Sequence, residues 1–236
     1  MKKLLFQALG TILVGIVLVP VIFGGENNPP KDFVALFNGK DLTGWKANDV
    51  AKAHWVVQDG IIDYDGKDTH LWTEHEFVDF VLMVDWRWTR KPVEMERPVI
   101  LPNGDTSTDG GKVVRMKVLD AGDSGIYLRG WDKSQVNIWC WPIGSGEVYG
   151  YRTDSSQPAE VRAGVTPKKK ADKPLGEWNS FVITMKGERL TVVLNGEEVI
   201  TSARLPGVRP RGPIALQNHG DPIQFRNIYI KELSEK

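Results

Sequence analysis

Cysteine is nearly absent from this chain, and the one present, Cys140, can neither close an intramolecular disulfide nor supply a thiolate zinc site. Net charge is absent as well. Thirty basic residues balance thirty acidic ones, so no global positive field exists to neutralise a phosphate backbone, and nucleic acid is excluded as an expected partner. No amphipathic helical period and no repeat of fixed length can be found, which removes helical bundles, solenoids and parallel α/β folds with their crossover helices. What remains is a 236-residue chain, 41% hydrophobic and 25% charged, with nine Trp and 24 Gly. That pairing suits many turns between strands and aromatic platforms for flat ligand faces.

The first 25 residues belong to targeting. Lys2 and Lys3 precede an apolar stretch from Leu4 to Phe23, the pattern of an export signal, and its length approaches the ~20 residues of a membrane anchor. Removing those two lysines leaves 28 basic against 30 acidic residues, a formal charge of −2. The expected product is exported, whether periplasmic, extracellular or envelope-anchored, with membrane contact confined to residues 4–23. Residues 26–32 read as a linker and 33–236 as one domain.

That domain is expected to be all-β, an antiparallel jelly-roll sandwich. In Phe80–Trp88, Phe80, Leu82, Val84, Trp86 and Trp88 fall on one face, with Asp85 and Arg87 on the other. Asn195-Gly196, between Leu190–Leu194 and Glu197–Ile200, suits a two-residue type I′ hairpin. Arg90–Gly111 and Asp154–Gly176, rich in Pro, Gly and charge, are expected as rim loops. Trp45, Trp55, Trp86, Trp88 and Trp178 are expected in the core.

Two short motifs carry little. Gly122-Asp123-Ser124-Gly125 looks like a serine-protease nucleophile segment but lacks the rest of a triad, so it reads as a turn entering a strand. Asp105 to Gly110 begins like a calcium loop, yet the twelfth position is Met116 in place of the bidentate Glu. His70 and His75 read as loop residues beside solvent.

Stronger candidates come from strand alternation. Gly125, Tyr127 and Arg129 share a face, where Gly leaves room for a ligand, Tyr offers a ring and hydroxyl, and Arg a permanent cation. Ala215 and Gln217 point away from the core and lead to His219, a titratable imidazole that Asp221 could orient.

Phe33-Val-Ala-Leu-Phe-Asn-Gly-Lys-Asp-Leu-Thr-Gly-Trp45, Ser124-Gly-Ile-Tyr-Leu-Arg129, Gly176-Glu-Trp-Asn179, Leu194-Asn-Gly196, Leu216-Gln-Asn-His-Gly-Asp221 and Phe225-Arg-Asn-Ile228 together resemble the 3-keto-disaccharide hydrolase domain family. The resemblance runs from about Phe33 to Leu233. It implies a concanavalin-like sandwich acting on a sugar or oligosaccharide oxidised at carbon 3. One segment departs: where the family shows Glu-x-Gln-Ile-x-Asp, this chain has Gln135-Val-Asn137-Ile-Trp-Cys140.

Oxidation at carbon 3 acidifies the hydrogen on carbon 2, so the bond at carbon 1 can break by elimination, with water adding afterwards. The expected machinery is His219 as base, Arg129 as enolate stabiliser and Asp85 as orienter or ligand. Gln217, Gln135, Asn137, Tyr127 and Arg87 are expected to bind substrate, with Trp139 or Trp141 stacked on a sugar face. A divalent metal is the one cofactor considered, and its identity is left open. The competing class is a non-catalytic, lectin-like carbohydrate-binding module, favoured by the altered Gln135 segment.

Overall fold

A computed structural model describes residues 28–234, so the expected export segment lies outside the described residues. In chain order the elements begin with β1 (Val34–Ala35), α1 (Asp49–His54), β2 (Trp55–Gln58), β3 (Ile61–Tyr64), β4 (Leu71–Phe77), β5 (Phe80–Trp88), β6 (Val93–Pro98), β7 (Thr108–Asp109), β8 (Lys112–Val113) and β9 (Arg115–Asp120). They continue with β10 (Asp123–Leu128), β11 (Trp131–Trp139), α2 (Tyr149–Arg152), α3 (Ala159–Gly164), β12 (Asn179–Lys186), β13 (Arg189–Leu194), β14 (Glu197–Arg204), β15 (Gly212–Leu216) and β16 (Ile223–Glu232). Among the described residues no helix is long and apolar enough to cross a membrane.

Two antiparallel sheets make the sandwich. The larger runs β14-β13-β12-β5-β16-β3-β2, with β1 added beside β16, and the smaller runs β11-β10-β15-β4. Strand alternation builds the core between them: Phe80, Leu82, Val84, Trp86 and Trp88 of β5 face Ile126 and Leu128 of β10, Val136 and Ile138 of β11, and Ile214 and Leu216 of β15 within one buried cluster. Burying such side chains contributes about 1.5–3 kcal/mol each, which is how a chain without disulfides holds together. The hairpin between β13 and β14 turns on Asn195 and Gly196 at φ 54° and 85°, both in the left-handed region a type I′ turn requires.

Three expectations need correction. The segment expected as a loop at Arg90–Gly111 enters a two-stranded ribbon, β6 paired with β9, with β7 and β8 at its tip. The second expected loop, Asp154–Gly176, carries α3. Trp178 is not in the core; it is half-exposed on the outer face of the large sheet, with Arg226 and Arg87 guanidinium carbons 4.0 and 4.6 Å from its ring centroid.

Candidate active site

Residues directly opposite each other in paired strands share a face. Tyr127 lies opposite both Gln135 and Ala215, Gly125 opposite Asn137, Asp123 opposite Trp139, and Ala215 opposite Trp72. These side chains therefore stand together on the outer face of the small sheet, away from the core. Gln217 follows two residues after Ala215 and joins them.

A chain of hydrogen bonds runs across this face. The Gln135 amide nitrogen donates to Gln217 Oε1 and to the Ser124 carbonyl at 3.3 Å, and Gln217 Nε2 donates to the Tyr127 hydroxyl at 2.8 Å. Gly125 makes this possible. A Cβ there would lie 2.2 Å from Gln135 Nε2, so only glycine lets the Gln135 side chain cross the strand. Gln217 is fixed at both ends by its backbone: its N–H donates to Gly125 O at 2.9 Å, and its carbonyl accepts from Ser124 Oγ at 2.9 Å.

Tyr127 is walled by aromatics. Trp72 stacks on it at 5.7 Å between centroids, and His70 meets it edge-on at 4.9 Å. His70 Nδ1 accepts the Asn218 N–H at 3.0 Å, which leaves Nε2 as the donor in the neutral ring. Burial, aided by the nearby His219, lowers the His70 pKa and keeps it neutral.

Asp123 carries the perturbed carboxyl of this face, and the His219 imidazole is near enough to act on its charge. Burial pushes the Asp123 carboxyl up to about 6, with Asp221 and Asp120 adding to the rise, while His219 and Arg97 restrain it. His219 itself is exposed. Asp221, a candidate to orient that ring, instead accepts the Asp123 N–H at 3.0 Å through Oδ2 and pairs with Arg90 through Oδ1. Its role is to hold the Asp123 backbone. Gly122, at φ 140°, permits the approach, since a Cβ there would lie 2.4 Å from the Asp221 Cβ.

Among the expected site residues, Gln217, Gln135, Tyr127 and Asn137 thus share this face with Asp123, and the exposed His219 lies near enough to act on the Asp123 charge. Trp139 shares the face too, but one of its ring faces is already covered by Trp141 at 4.1 Å and 5°, and its Nε1 donates to Gly144 O at 2.7 Å. Trp141, half-buried, is the ring of the two with surface left to present.

Arg129, Asp85 and Arg87 lie elsewhere. The alternation that put Arg129 beside Tyr127 fails because the β10–β11 register shifts between Tyr127 and Leu128 and Arg129 itself adopts φ 52°. Its guanidinium is buried in a corner, donating to Val78 O, Gly187 O, Arg209 O and Asp79 Oδ1 at 2.6, 2.8, 3.1 and 2.8 Å. Asp85 and Arg87 do point out of β5, but from the large sheet, so the whole core separates them from Gln217. There Asp85 accepts from Asn227 Nδ2 at 2.8 Å and Arg87 Nε donates to Gln224 at 2.7 Å.

Asp123, His70 and Trp72 were missed in the sequence. Asp123 was findable, because counting back from Tyr127 through Gly125 reaches it on the same face. His70 gave no such signal, since its place depends on β4 pairing with β15 from a distant part of the chain. Among the described residues no group of three or more His, Cys, Asp or Glu side chains stands ready to hold a metal.

Comparison with known proteins agrees with this architecture. The model of a family described as a 3-keto-alpha-glucoside-1,2-lyase-like domain matches residues 32–231. The chain is 21% identical over 240 residues to a 3-keto-disaccharide hydrolase of Bacteroides thetaiotaomicron, spanning 85% of this chain and 78% of that protein. Crystal structures of two candidate glycosyl hydrolases from Parabacteroides distasonis align with TM-scores of 0.56 and 0.57 at 20% and 24% identity, covering 86% of this chain and 94% and 85% of theirs. Likeness at that level carries the fold.

Proposed function

The chain belongs to the 3-keto-alpha-glucoside-1,2-lyase-like family, and from that premise we propose that it cleaves glycosidic bonds of sugars oxidised at carbon 3, by elimination followed by hydration. At the coarser level it is a carbohydrate-active domain of the glycosyl hydrolase kind. The observation that carries the finer reading is Asp123, a carboxyl that burial raises to about 6, on the polar outer face of the small sheet with the exposed His219 imidazole near enough to act on its charge. Ordinary glycoside hydrolysis uses two carboxylates flanking the bond. Here Asp221 is committed to Arg90 and the Asp123 backbone, and Gln135 and Gln217 supply amides.

In the proposed reaction His219 takes the proton from carbon 2. The electron pair forms the enolate of the carbon-3 ketone, whose oxygen accepts from His70 Nε2–H, in place of the Arg129 expected from the sequence. The carbon 1–oxygen bond then breaks, and protonated Asp123 gives its proton to the departing oxygen. Water next adds across the resulting double bond: Asp123 takes its proton as oxygen bonds to carbon 1, and the imidazolium of His219 returns a proton to carbon 2. Both groups end as they began. A carboxylic acid raised toward the working pH is suited to giving and retaking the proton, and a positioned acid or base each contributes about 10²–10⁴ in rate. The Gln135–Gln217–Tyr127 chain orients donors for sugar hydroxyls, and Trp141 offers a stacking face. Export, motivated by residues 1–25, is part of the same proposal.

The test is to incubate the purified protein in D2O with a 3-keto-disaccharide and, separately, with its unoxidised parent. Cleavage of the former alone, with deuterium entering at carbon 2 of the product faster than without protein, is expected. His219→Ala and Asp123→Asn should each lower kcat by about 10²-fold or more. Saturable binding without turnover would instead identify a lectin-like module, the reading that the amides at Gln135 and Asn137 favour.

A further inference from the structure

We propose that a cavity between the end of β5, strand β9 and the segment 170–175 binds a flat aromatic carboxylate. The cavity has a volume of about 690 Å³, within the ~300–1,000 Å³ of small-molecule sites. Of the side chains on the catalytic face described above it touches only Trp139, and it does not depend on the reaction proposed there.

Its walls are aromatic and aliphatic. Trp86 and Trp88, at the end of β5, form one side, with Trp139, Val118 and Leu175 around them. Cys140 adds to the apolar lining. Burial pushes its thiol up to about 11, so it stays uncharged, and its sulfur accepts the Ala121 N–H at 3.3 Å. Rings of this kind suit a planar apolar body.

The polar groups at the mouth decide between ligands. Both Asp172 oxygens accept the Ser145 N–H, at 3.3 and 3.0 Å. Asn179 Oδ1 accepts from Lys173 N and Asn195 Nδ2 at 2.9 and 2.8 Å, its Nδ2 donates to Glu177 O at 3.3 Å, and Lys173 Nζ donates to Trp178 O at 3.1 Å. These groups are committed within the protein. A sugar, which needs many hydroxyl partners, is therefore poorly served. Lys170 differs: among the described residues its ammonium takes no partner. Gly144, at φ 85°, lets the Lys170 segment close on the cavity, because a Cβ there would lie 2.9 Å from the Lys170 Cα. The mouth thus carries two lysine cations, Lys170 and Lys173, against the single carboxylate of Asp172, and an apolar slot with a net positive edge is complementary to an aromatic ring bearing one negative charge.

Calorimetric titration with biphenyl-4-carboxylate, and with the neutral biphenyl-4-carboxamide as control, tests this. One-to-one binding of the acid is expected, tighter than that of the amide. Lys170→Met should weaken the acid by about three- to fivefold, the range of a solvent-exposed ion pair, and leave the amide unchanged. Leu175→Trp, which fills the slot, should abolish both, whereas Gln217→Ala on the catalytic face should change neither. Failure of the acid to bind saturably would overturn the proposal. So would equal binding of acid and amide with no effect of Lys170→Met, or undiminished binding in Leu175→Trp that remains folded by circular dichroism. Cleavage of a 3-keto-disaccharide by Lys170→Met, measured alongside, reports on the catalytic face separately.

Discussion

Replacing Arg129 with methionine separates a corner staple from a catalytic cation. The arginine side chain is 1% exposed, and its guanidinium makes four hydrogen bonds that tie the end of β10 to the β4–β5 turn, the β12–β13 turn and the segment before β15. Charge-assisted bonds are worth about 1.5–3 kcal/mol each, but they do not sum here. Asp79 is 20% exposed and keeps the Gly187 N–H at 2.8 Å, so its loss is largely repaid by water. The carbonyls of Val78, Gly187 and Arg209 lose their shared donor, at about 1–3 kcal/mol for each that water cannot reach. A total of about 4 kcal/mol follows, within the ~3–5 kcal/mol typical of breaking a buried pair. For a protein of this size that lowers Tm by about 8–16 °C. Tryptophan fluorescence during heating reads the shift, and kcat at 20 °C, corrected for the folded fraction, reads the chemistry. Loss of activity in Arg129→Met with Tm within about 2 °C of the parent would refute the reasoning and return this residue to the reaction.

Two further outcomes are expected. Because Asp123 titrates near 6 in the folded protein against 3.8 for an ordinary carboxyl, the folded state holds a proton that the unfolded chain has released between those values, and stability falls as pH rises through that window. Asp123→Asn should therefore stabilise the protein by about 2 kcal/mol at pH 8, after discounting for partial exposure, and by nearly nothing at pH 3.5; urea unfolding giving the same gain at both pH values would contradict this. Gln135→Glu should leave Tm within a few degrees yet lower kcat/KM by about tenfold or more, because a carboxylate there can only accept; a gain in activity would show that the amide is merely tolerated.

Much of the fold was legible because alternation and turn chemistry are local. Phe80–Trp88 is a strand over the bounds its pattern shows, and Asn195-Gly196 makes the expected turn. The site was legible only where alternation held. It failed at Arg129, where a register shift and a left-handed residue end the strand before the side chain can reach the common face. It misled at Asp85 and Arg87 for another reason: a sandwich has two outer faces, and a strand's pattern says which residues leave the core without saying from which sheet. That choice is made by β5 pairing with β12 and β16, strands that lie far away in the sequence.

The departure at Gln135 follows from the same network. Its Nε2 is aimed at two acceptors, Gln217 Oε1 and the Ser124 carbonyl, so this position needs a donor, and the glutamate that the family resemblance implies here would bring a third acceptor into the cluster. The direction of the bonds then continues outward. Gln217, accepting from Gln135, has its own amide nitrogen free to donate to the Tyr127 oxygen, which leaves the tyrosine O–H to donate beyond the network. With a carboxylate at 135 the Gln217 amide would have to turn over, and the tyrosine proton would be drawn back to its oxygen. The amide at 135 therefore sets the polarity of the whole face. The proposed reaction instead draws its acid from Asp123, one strand over and opposite Trp139, where burial and the neighbouring carboxylates raise its pKa toward neutrality.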